Sequence, residues 1–91
     1  MKNLCQAIIW VSCFLELSGD DVIDPDSAIK ALEDLAATMQ GATDEEKANF
    51  RQACATEAEG LETQGGPEYS ETIEFIRSIP DAMGILEANT E

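Results

Sequence analysis

Four carboxylates within seven residues, Asp20, Asp21, Asp24 and Asp26, form the densest set of potential metal ligands in the chain. A calcium loop of the EF-hand kind needs acidic groups at its first, third and fifth positions, a glycine at the sixth and a glutamate at the twelfth. Counted from Asp20 or from Asp24, neither that spacing nor the glycine is present. Asp24 and Asp26 have a simpler use at the start of a helix, so no metal ligand is assigned. The chain has no histidine, which removes the commonest general base. Cys54 lies between Ala53 and Ala55, with Arg51 one helical turn back and no imidazole to activate it. Gly65-Gly66 stands alone before Pro67 and is no phosphate-cradling loop. No catalytic residue, no cofactor-binding residue and no cofactor are expected, and the chain reads as a non-enzyme.

What remains is binding, and the elements that would support it. Asn3 to Leu17 is the most apolar stretch. At about 100° per residue, Leu4, Ala7, Ile8, Val11, Phe14 and Leu15 share one helical face, expected to face the core. Cys5, Ile9, Cys13 and Leu17 form a second stripe, with Trp10 beside Leu17. These five residues are the expected partner or dimer interface, because a helix apolar nearly all round is either central or pressed on a partner. Cys5 and Cys13 are about 12 Å apart along one helix axis, too far for a disulfide. With Cys54 they make an odd set of three, expected to be reduced, buried and hydrophobe-like.

Further helices follow. Asp24 suits an N-cap, Pro25 the first helical position and Asp26 the first turn, opening a helix to about Gln40. Its apolar face is Ala28, Ile29, Leu32, Leu35, Ala36 and Met39. Thr43 and Glu46 have capping-box spacing, opening a helix with a thin face of Phe50, Ala53, Cys54, Ala58 and Leu61 that is expected either to lie flat on the others with close approach or to fray toward Gly60, with Gln64-Gly65-Gly66 breaking the chain. Pro67 restarts the chain, Tyr69, Thr72, Ile73, Ile76 and Ile79 keep helical spacing, and Pro80 is expected to stop or kink that last helix. No alternating run or hairpin dipeptide suggests a strand. The expected fold is all-α, a small bundle of four helices with short loops whose first helix is central and highly apolar. It makes one domain over 1–86, with a mobile acidic tail at 87–91.

Five basic against nineteen acidic residues give a net charge of −14. That disfavours binding to nucleic acid or anionic membranes and favours either a surface kept soluble by its charge or a basic protein partner. Acids at helix N-termini have a local role; Asp20, Asp21, Glu57, Glu59, Glu62, Glu71 and Glu74 do not, and form the expected acidic partner-binding surface. No segment approaches the roughly 20 apolar residues of a membrane span. The N-terminal Met-Lys-Asn and the run ending at Cys13 resemble a lipoprotein signal only superficially. The run is interrupted by Gln6, and Trp10 suits the approach to a cleavage site poorly. A cytoplasmic location is therefore expected.

In size, charge and helicity the chain resembles the small acidic immunity proteins and antitoxins with which bacteria neutralise basic toxins. That resemblance implies an inhibitor that occludes a basic partner and assigns no residues. The alternatives are a nucleic-acid mimic and a homodimeric structural or adaptor protein assembled through the first helix.

Overall fold

The computed structural model describes residues 2–85; the tail expected at 87–91 lies outside the described residues. Four helices run in order: α1 (Lys2–Leu17), α2 (Pro25–Gln40), α3 (Asp44–Gln64) and α4 (Ser70–Ala82), with a 3-10 turn at Pro67–Tyr69 leading into α4. There is no strand among the described residues. The protein is an all-α bundle, as the sequence predicts.

α2 and α3 begin where their capping chemistry places them. The Asp24 carboxylate accepts from the Ser27 amide at 3.0 Å, with Pro25 at the first helical position. At α3 the capping box is complete: Thr43 Oγ1 accepts from the Glu46 amide at 3.0 Å, and Glu46 Oε1 accepts from the Thr43 amide at 2.9 Å. Of the two outcomes expected for α3 the fraying one does not occur, the break falls at Gln64-Gly65 as expected, and Pro80 does not stop α4. α3 continues through Gly60 to Gln64, because Leu61 is buried and Glu62 pairs with Arg77 of α4 at 2.8 Å. It ends at Gly65, whose φ of +77° is a conformation that glycine adopts without cost. Pro80 stays inside α4, where it is buried, and the helix runs on to Ala82. So near the C-terminus, proline forfeits one helical hydrogen bond while its ring adds to the core.

The first helix is central, packing on each of the other three. α2 lies along α1 alone. α3 and α4 form the most extensive pair, and they are antiparallel, since Glu62 meets Arg77 while Arg51 donates to the Ile85 carbonyl at 2.9 Å. Gln40 likewise donates to the Met83 carbonyl at 3.1 Å, tying the end of α2 to the end of α4.

The inward face of α1 differs from the expected one. Cys5, Ile9, Ser12 and Cys13 are buried, whereas Leu4 is 65% exposed, Val11 50% and Phe14 51%. The physical reason is close approach. A helix flanked by three others needs small side chains at its contacts, and Cys5, Ser12 and Cys13 meet a partner face of Phe50, Cys54, Ala58, Leu61, Ile76 and Ile79 that offers size where α1 lacks it. Ser12 costs little in this position because its hydroxyl donates to the Ile8 carbonyl at 2.8 Å.

Truncation at the two stripes distinguishes the faces. Ile9→Ala is expected to lower unfolding free energy in urea by about 2–5 kcal/mol, and Leu4→Ala by less than about 1 kcal/mol. The reverse ranking would mean that α1 is turned the other way.

Candidate interaction surface

Of the five interface residues expected on α1, the structure buries three: Cys5, Ile9 and Cys13 are core. They cannot form a docking surface while this fold is intact. Leu17 is half-buried against the same core and Trp10 is 43% exposed. The apolar residues that α1 turns to solvent are instead Leu4, Ala7, Trp10, Val11 and Phe14. Sequence reasoning had assigned four of these to the core, because both arcs of the helix are apolar and hydropathy alone does not rank them.

The three cysteines are free thiols, all buried. Burial pushes the thiols of Cys5 and Cys13 up from their ordinary range. Cys54 is pushed up to about 12, first by burial and then by Cys5, Cys13 and Glu57, which would set like charge beside its thiolate. A thiol so placed stays protonated at neutral pH and is no nucleophile. No group of three or more His, Cys, Asp or Glu side chains is placed to hold a metal ion among the described residues. Asp24 of the aspartate-rich loop is engaged in capping α2.

The expected acidic surface separates into parts. Asp20 and Asp21 are exposed on the turn between α1 and α2. Glu57 turns inward instead, accepting from Gln6 Nε2 at 2.6 Å across α1 and α3. Glu62 is spanned by Arg77, and Glu59, Glu71 and Glu74 are exposed. Spacings of three and seven place Glu71, Glu74 and Asp81 along one exposed side of α4. These acids come from separate elements and do not form one row.

A further feature has no counterpart in the linear pattern. Because α2 and α4 both lie on α1 without packing along each other, they leave an open groove of about 310 Å³ between them. Ile29, Leu32, Ala36, Phe75 and Ile79 line it, Ser12 belongs to its floor, and the exposed carboxylates Glu16 and Glu33 stand at its edge. The signal for it was Ile29, an apolar residue on the expected inward stripe of α2 that is 54% exposed. A second concavity of about 490 Å³ opens where Leu4, Ala7 and Ile8 meet Met39, Glu46 and Phe50.

No helix is long and apolar enough to cross a membrane among the described residues. No family model, curated protein or solved structure matches the chain.

The buried thiols make stability pH-dependent. In the unfolded chain a thiol ionises near pH 8.5, whereas in the fold Cys54 holds its proton to about 12. The unfolded state therefore binds fewer protons above about pH 8.5, and stability falls as pH rises from there toward 12. Thermal unfolding is expected to drop between about pH 8 and pH 10, and to drop less in Cys54→Ala. An equal decline in both proteins would assign the effect to other groups.

Proposed function

We propose that this is a non-catalytic protein-binding protein, an acidic inhibitor of the immunity or antitoxin kind that covers a basic partner. The observation that carries this is the groove between α2 and α4: an apolar slot with Glu16 and Glu33 at its edge. An apolar side chain projecting from a basic surface fits such a slot, burying its carbon while neighbouring Lys or Arg residues meet the carboxylates. The overall charge of −14 acts at longer range, drawing a cationic partner toward the surface and speeding encounter. The buried, protonated thiols and the lack of any histidine also favour binding over chemistry. The cytoplasm is the location in which three reduced thiols and such a partner are most readily accommodated.

Co-expression with the products of neighbouring genes, followed by native mass spectrometry, tests the proposal. A basic neighbour should form a stoichiometric complex that dissociates as salt is raised. The double substitution Glu16→Lys, Glu33→Lys should slow its association by about tenfold or more, and Ile29→Glu should abolish it. A full set of neighbours that neither bind nor are inhibited would reject the inhibitor reading.

A further inference from the structure

We infer that the outer face of α1 is the seam of a symmetric dimer in which α1 packs antiparallel against α1 of a second copy. Leu4, Ala7, Val11 and Phe14 follow one another at intervals of three, four and three, the 3.5-residue period with which one helix packs lengthwise on another. Each is exposed. Trp10 and Leu17 border the seam on one side, Ile8 and Leu15 on the other.

The identity of the occupant rests on charge, fit and area. The thirteen residues 3–15 carry no charge, in a protein of net charge −14. Two copies repel one another through a surface bearing Asp and Glu on every other helix, and meet with least repulsion at this face. A basic partner would find no carboxylate along the seam to answer it. The nearest acid on α1, Glu16, is turned toward the groove with α2 and α4; Glu46 of α3 stands beside Leu4 and Ala7 at one end only, with one oxygen held in capping α3.

Fit selects the antiparallel arrangement. Centred between Ala7 and Val11, it sets Leu4 opposite Phe14 and Ala7 opposite Val11, so that the smallest side chain meets a larger one and neither Ala7 nor Phe14 meets its own copy. A parallel pair would oppose Ala7 to Ala7, leaving a void, and Phe14 to Phe14. The antiparallel pair also opposes the helix dipoles.

The area is sufficient. With Leu4 65%, Trp10 43%, Val11 50% and Phe14 51% exposed, the face offers on the order of 400 Å² of apolar surface. A standard interface buries about 800 Å² per partner, a little over half of it apolar.

The dimer and the basic-partner groove lie on different sides of α1, and salt separates them by sign. Sedimentation equilibrium of the full chain at two ionic strengths should show a dimer that tightens as salt screens the repulsion between copies. Val11→Glu and Val11→Lys should both weaken it by about a hundredfold or more, since either buries an ionised group whatever its sign; circular dichroism checks that both remain helical. Glu16→Lys with Glu33→Lys should leave the dimer intact. Mixing Ala7→Cys with Val11→Cys should give a disulfide between the two variants that neither gives alone. A monomer at about 100 μM in both salts, a dimer loosened by salt, a dimer that survives Val11→Lys, or cross-linking of each variant with itself would overturn the inference.

Discussion

The rest of the structure depends on how closely the other helices approach α1. A bundle of this length has little apolar volume to spare, and its third helix offers mostly alanine and cysteine. Such a helix gains dispersion energy only when backbones come near, and near approach requires small residues on α1 where larger side chains such as Phe50 and Leu61 reach across. Cys5, Ser12 and Cys13 meet that requirement, with Ile9 as the one large side chain among them at 0% exposed. The small stripe therefore takes the inside. Its larger neighbours Leu4, Val11 and Phe14 are left at the surface by the same step.

From this follows the separation of roles around α1. Three neighbouring helices cover one side, and the uncovered side carries no charge. Most of the described acids lie on the turn after α1 and at exposed positions of α2, α3 and α4. They are stabilised there by helix N-termini, by hydration and in two cases by an ion pair, Lys30 with Asp34 and Arg77 with Glu62. Both pairs are exposed and add little to stability. The acidic surface thus owes its form to what the core excludes. Its net charge is available for attracting cationic partners and for keeping copies apart everywhere except at α1.

Much of the architecture was legible in the sequence because helix boundaries are local chemistry. Pro25, Thr43 and Glu46 each act within one turn, and α2 begins and ends at the expected residues. The stripe of Phe50, Cys54, Ala58 and Leu61 was legible too, since α3 has only one apolar side to bury. The orientation of α1 was not. Both of its arcs are apolar, so the decision passes to fit against α3 and α4, which no single helix records. Ser12 was the overlooked clue: taken as a polar residue it marks a wet side, whereas taken as a small residue with a hydroxyl bonded to its own helix it marks the tightest contact. Fraying at Gly60 and a stop at Pro80 do not occur for a related reason, because tertiary burial of Leu61 and of Pro80 outweighs local helix-breaking tendency.

The groove between α2 and α4 and the outer face of α1 are both products of the arrangement around a central helix. Three helices do not close around a fourth, so gaps are left between neighbours and one arc of the centre remains open. The gap between α2 and α4 is lined by side chains from three helices and edged by acids, which suits insertion of a single residue from a charged surface. The open arc is long and neutral, which suits a second helix laid along it. A dimer closed at α1 would present two copies of the groove from one particle and double its negative charge. A cationic partner would then meet a stronger field at long range, and the contacts that hold it would stay clear of the seam.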